Sequence, residues 1–228
     1  MTGHAFSTQI KEIGGICRDW WMDLAAIDAK TGEEKEGGNR NRGKLAELRR
    51  IGIETLETGD CIDVAAAVPH WPYQKLRGRL AGIALPCFHG NAAQDEFDQA
   101  VAVVAATLAR VRTETPKIRD QKVAALLGLS KDGKPVTDDE AARVMAEARF
   151  KRLIRVRDWP GLLGQGRRMV HLLGRDVPVA DLGASLLLWN SSRLNPLIIR
   201  RWSFAYYGAD FADPDATEPP VAAEAAAT

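Results

Sequence analysis

Apolar residues recur along this chain at steps of three and four for almost its whole length, the signature of amphipathic helices. Ile10, Ile13, Cys17, Trp20, Trp21, Leu24 and Ile27 predict a first helix over residues 8–27. The adjacent tryptophans cannot share one direction. Burial of both within the chain is the favoured reading, because large aromatics are mostly buried; the other is that one covers a neighbouring lobe or a partner subunit. Leu45, Leu48, Ile51 (or Gly52) and Leu56 predict a second helix over 45–56, and Asp60 is placed to cap a third that runs through Val68. Pro69-His70-Trp71-Pro72 is a break before a fourth helix over 73–84, which carries Lys75, Arg77 and Arg79.

Asn91-Ala-Ala-Gln94 has the form of a capping box, opening a helix through Phe97, Val101, Val104 and Leu108 to about Arg112, with alanines that allow close helix approach. A short helix over 119–128 stops at Gly128. Thr137-Asp-Asp-Glu140 is a second capping box, whose helix leads into the stretch Ala148–Arg168. There Phe150, Leu153 and Ile154 share one face, Lys151, Arg152 and Arg155 the opposite one, and Arg149 flanks the basic side. Asp158 with Pro160 marks a restart that carries Arg167 and Arg168 and closes at Gly174. Helices over 178–189 and from Asn195-Pro196 to Tyr207 complete the pattern, with Trp202 and Tyr206 on one stripe of the last. Period-two alternation is missing. The expectation is an all-α protein: a compact bundle of about eight to nine helices in two packed lobes, roughly 8–128 and 137–207, with no sheet.

Charge changes this picture more than composition does. The chain has 228 residues and a formal net charge of only +1. From Arg143 to Arg201, however, there are twelve Lys/Arg against four Asp/Glu. The surplus is therefore concentrated, as binding to a polyanion requires. Residues 209–228 hold five acids and no base, and read as an acidic disordered tail behind a helical domain at 1–208. The tail hides a basic body within the total. The loop at 28–43 is rich in glycine and charge.

Other chemistry finds little support. Gly161, Gly164 and Gly166 lack the GK[ST] of a phosphate loop, and no HExxH or GxSxG occurs. The three cysteines are widely spaced; Cys87 and His89 alone do not complete a metal site. No acid, base and nucleophile set can be assembled, so the expectation is no enzyme, no metal and no cofactor. The longest weakly polar run, Ala100–Ala109, is too short to span a bilayer, and the N-terminus has no signal pattern, which predicts a cytoplasmic protein without a membrane partner.

Four stretches, in order, carry a resemblance. They are an aromatic-rich first helix followed by Leu48-Arg49-Arg50; Arg149-Phe-Lys-Arg-Leu-Ile-Arg155; Arg167-Arg-Met-Val-His-Leu-Leu173; and Pro178…Asp181-Leu…Leu188-Trp189…Arg200-Arg201-Trp202…Tyr206-Tyr207. Together they resemble the CasB family, the small subunit of type I-E CRISPR Cascade complexes, over most of residues 12–207. Pro69–Thr137 matches only in helical character, the 28–43 loop looks like an insertion, and the tail lies outside the pattern.

The resemblance implies a non-catalytic subunit. Its partners would be the backbone and large subunits, a second copy of itself, the guide RNA, and target DNA including the displaced single strand of the R-loop. It places nucleic-acid contacts on Arg149, Arg155 and Arg168, with Arg157 and Arg167 close to matching positions and Arg49, Arg50 and Arg193 as looser candidates. The basic helix face adds Lys151 and Arg152. Two alternatives stand beside this reading. A free-standing DNA-binding regulator would need a helix-turn-helix and a dimer interface. In a purely structural scaffold the arginines would be irrelevant.

Overall fold

A computed structural model of the chain describes residues 3–26, 41–56, 59–90, 92–136, 142–191 and 193–208. The 28–43 loop up to residue 40, the Thr137–Glu140 capping box and the acidic tail lie outside them. Among these residues ten α-helices follow one another: α1 (Gly3–Ala25), α2 (Arg42–Arg50), α3 (Val64–Ala67), α4 (Trp71–Ala84), α5 (Ala93–Leu108), α6 (Val123–Gly128), α7 (Glu147–Leu153), α8 (Trp159–Leu172), α9 (Val179–Leu188) and α10 (Asn195–Tyr206).

The expectation of no sheet is wrong in one place. Ile53–Leu56 (β1) and Gly59–Ile62 (β2) pair antiparallel, with Ile53 opposite Ile62 and Leu56 opposite Gly59. The second helix therefore ends at Arg50 rather than at Leu56. Asp63, not Asp60, caps α3, accepting from the Ala66 amide at 2.8 Å.

α1 is the central strut. Ile13, Cys17, Trp20 and Trp21 are all buried, so both tryptophans belong to the core of this chain. The Trp20 indole N–H donates to the Pro72 carbonyl at 2.7 Å. α1 lies directly on α9, because glycines remove the side chains that would hold them apart. A Cβ on Gly14 would sit 2.8 Å from the Ala180 carbonyl oxygen, and one on Gly183 would sit 2.6 Å from the Cys17 Cβ. α5 is buried nearly all round, and its alanines 100, 102, 105 and 106 let neighbours close on it. It begins at Ala93 with Ala92 at the N-cap; Asn91, the first residue of the expected Asn91–Gln94 box, lies outside the described residues.

Two buried carboxylates tie the halves of the chain together. Glu114 pairs with Arg18 and Arg119 and accepts from the Val179 amide at 2.8 Å. Asp181 pairs with Arg201 and accepts from the Val123 amide at 2.8 Å. Because both are paired and bonded, they are not free acids, and removing either would strand its buried partners. At the start of α10 the cap position is Leu194 rather than Asn195, whose side-chain amide instead donates to the Trp189 carbonyl. One continuous apolar cluster runs from Phe6 to Tyr206. No helix among the described residues is long and apolar enough to cross a membrane.

Candidate nucleic-acid interface

The basic helix is shorter than its sequence pattern. Residues 137–141 lie outside the described residues, and no continuous helix leads through 143–146 into the basic stretch. Arg143 lies in an isolated bridge with Ser130, residues 144–146 are irregular, and α7 begins only at Glu147. In α7 and the turn that follows it the predicted faces are present. Phe150 and Leu153 are buried, Ile154 packs partly against the core, and Arg149, Lys151, Arg152 and Arg155 are exposed.

Two anchors fix this face. The Phe150 ring stacks on Tyr206 with centroids 3.8 Å apart, and the Tyr206 hydroxyl donates to the Met145 carbonyl at 2.6 Å. Just past the helix, the Trp189 indole N–H reaches the Val156 carbonyl at 3.3 Å. Asp158 then starts α8, its carboxylate accepting from the Gly161 amide at 2.6 Å with Pro160 in the first turn, as the sequence predicts.

The candidate residues divide by what their charged groups already hold. Arg149, Arg155 and Arg168 are exposed and make no hydrogen bond or ion pair among the described residues; the same holds for Arg50. Lys151 is paired with Glu147 one turn back, so its charge is largely cancelled. Arg152 reaches back to the Ala148 carbonyl at 3.4 Å. Arg157 donates to the Ile154 and Val156 carbonyls, both at 2.8 Å, satisfying acceptors at the end of α7. Arg193 is exposed beside Cys87. Burial pushes that thiol up, against the hydrogen bond from Gln9 and the positive field of Arg193. Arg193 lines neither of the cavities formed around Arg49. Arg201 is committed to Asp181 and Ser185, and Arg200 lies over the Phe204 ring at 5.6 Å.

Arg167 and Arg49 are brought together with residues that sequence reasoning missed. The C-termini of α2, α5 and α8 converge, and arginines bridge them. Arg49 donates to the Ala109 carbonyl at 2.6 Å, and Arg110 to the Arg49 carbonyl at 3.3 Å. Arg167 donates to the carbonyls of Arg49 (3.3 Å) and Ile51 (2.5 Å). Burial, with the neighbouring Arg110 charge, pushes the Arg167 guanidinium below its ordinary range. Arg49, Arg110, Arg167, Val170, His171 and Arg175 line a cavity of about 170 Å³. Arg49 also lines a second cavity with Arg42, Leu45 and Arg112. Arg168 and His171 are three apart on α8, hence neighbours on its surface, and His171 lines the first cavity. Arg42, Arg110, Arg112 and Arg175 carried no local signal; only the convergence of three helix ends unites them.

A basic surface thus lies on a mostly helical frame whose two buried carboxylates are already paired, and comparison with known proteins says where such a frame belongs. The family model for the CRISPR-associated protein Cse2 matches residues 44–207, well over half of the chain. The chain belongs to the Cse2 family. Cse2 is the CasB small subunit of type I-E Cascade, so this protein is a small subunit of a CRISPR antiviral complex. Cse2 is a structural subunit, and among the described residues no group of His, Cys, Asp and Glu is placed to hold a metal ion. No curated protein and no solved structure matches the chain. The matched span includes α7, α8 and the arginine-bridged helix ends, and begins just before Leu45.

Proposed function

We propose that this Cse2 protein holds nucleic-acid strands within Cascade through its basic surface, stabilising the hybrid of guide RNA with target DNA and the displaced strand. The observation that carries this is the state of Arg149, Arg155 and Arg168: three exposed guanidiniums without a carboxylate partner among the described residues, on elements fixed by buried aromatic contacts. Exchanging a DNA duplex for an RNA–DNA hybrid is nearly neutral in free energy, so modest contacts to the strands decide whether the duplex stays open. Arginine suits the task, since its planar fork meets phosphate oxygens in pairs and reads no sequence.

The test is a Cascade reconstituted with the Arg149→Ala/Arg155→Ala/Arg168→Ala variant. The complex should assemble, because none of the three side chains holds up the fold. It should open a matched target poorly, seen as reduced permanganate reactivity of thymines in the displaced strand. Opening at the wild-type level would reject strand holding and leave a scaffold role.

A further inference from the structure

The cavity at the converging helix ends has a charge balance that its structural duties do not use up. Four guanidiniums (Arg49, Arg110, Arg167 and Arg175) line it, and no lining residue is acidic. Each helix C-terminus carries about half a negative charge, so three of them offset roughly one and a half of the four positive charges, leaving a surplus above two. Capping alone would need less. Moreover, the Nε–H groups of Arg110 and Arg167 are buried and have no hydrogen-bond partner among the described residues. Buried donors are normally satisfied. The Arg175 side chain makes no hydrogen bond or ion pair among the described residues either, although its backbone amide and carbonyl are both engaged. Its backbone is left-handed, φ 70°, directly after Gly174 at φ 65°. A residue other than glycine in that region carries strain.

We infer that this cavity is a socket for one phosphate group of a nucleic-acid backbone, held by Arg110, Arg167 and Arg175. The inference rests on the reading that strands run over this surface, and adds a defined seat to it. Arg49, Arg110 and Arg167 are oriented in advance by the carbonyls they already bond, so little side-chain freedom is lost when the anion enters. A phosphate offers several acceptor oxygens, enough for guanidinium N–H groups of Arg110, Arg167 and Arg175 together. The exposed Arg168, one turn from the lining His171, and the second cavity that shares Arg49 with Arg42 and Arg112 give the strand a basic path to either side. A phosphodiester of a strand and a free phosphate ion share this chemistry; the strand is favoured because the basic surface continues beyond the cavity.

The Arg175→Asn variant of the full chain tests it. Asparagine tolerates the left-handed backbone, so the variant should melt at or above the wild-type temperature. It should bind a short single-stranded DNA roughly three- to tenfold more weakly, as expected when one charge-assisted hydrogen bond to phosphate is removed. Unchanged affinity in the folded variant would overturn the socket. The Arg149→Ala/Arg155→Ala/Arg168→Ala variant runs beside it. Weaker binding there, with Arg175→Asn unaffected, would reject the socket and keep the broader reading, while no loss in either would reject both.

A measurement on the unaltered chain guards against misfolding. The Nε–H resonances of Arg110 and Arg167 should shift when the DNA is added. They should not respond to an oligonucleotide of the same sequence with uncharged methylphosphonate linkages. A shift with inorganic phosphate but none with DNA would make the site one for the free ion and overturn the strand assignment. No shift with either would overturn the socket itself.

Discussion

Removing three exposed guanidiniums at once, as in Arg149→Ala/Arg155→Ala/Arg168→Ala, should change the salt dependence of strand binding by a calculable amount. Each arginine that meets a phosphate of a single strand releases counterions and adds about 0.7 to the slope of log affinity against log salt. These three make no carboxylate contact among the described residues, so each should contribute in full. The slope should therefore fall by about 2. Between 50 and 200 mM salt, the wild type should lose about 18-fold more affinity than the variant through these three arginines alone. Fluorescence anisotropy of the full chain with a labelled single-stranded oligonucleotide over that range reads the slope directly. Lys151→Ala is the internal comparison: Glu147 already cancels most of its charge, so it should move the slope by much less than 0.7. A triple variant that is folded and keeps the wild-type slope would refute the reasoning, as would a Lys151→Ala effect as large as that of an unpaired arginine.

The scaffold yields further expectations. Asp181→Ala should cost about 3–5 kcal/mol in urea unfolding, because it strands the half-buried Arg201 and leaves the Val123 amide without its acceptor. Wild-type stability would mean that the pair is not what ties α10 and α6 to α9. Adjacent glycines on α1 should respond with opposite signs. Gly15 is exposed with open space around its Cβ position, so Gly15→Ala should stabilise by about 0.8–1 kcal/mol in thermal or urea unfolding. Gly14→Ala drives a methyl to 2.8 Å from the Ala180 carbonyl and should destabilise by about 1–3 kcal/mol. Equal effects of the two changes would contradict the close seating of α1 on α9.

Helices were legible because their burial is one-sided or complete: Trp20, Phe97 and Leu186 sit where the three-and-four spacing puts them. The hairpin was not, for a physical reason. Ile53 is 51% exposed and its neighbours Glu54 and Thr55 are exposed too, so no buried position alternates with exposed ones over 53–55. Meanwhile the spacing of Leu48, Ile51 and Leu56 prolonged a helical pattern past the true end at Arg50. Cap positions slipped by one or a few residues, as at Asp63 and Leu194, where local chemistry offers more than one start.

The basic surface was legible as a concentration of charge, but its division was not. Arg157 and Arg168 look alike in the sequence. One closes the end of its own helix while the other is exposed, and only the fold separates them. Arg167 bonds carbonyls 116 and 118 residues away, a commitment no local pattern encodes. The same convergence gathers Arg110 and Arg175 around it, residues that stand apart in the chain.

Whether strands actually lie against this face is tested most directly by placing a photo-crosslinking side chain at position 155 of the protein in assembled Cascade bound to a matched target. The account predicts crosslinks to guide RNA or DNA, which disappear when the target is omitted if the partner is DNA. Crosslinks to neighbouring protein subunits alone, with and without target, would contradict it.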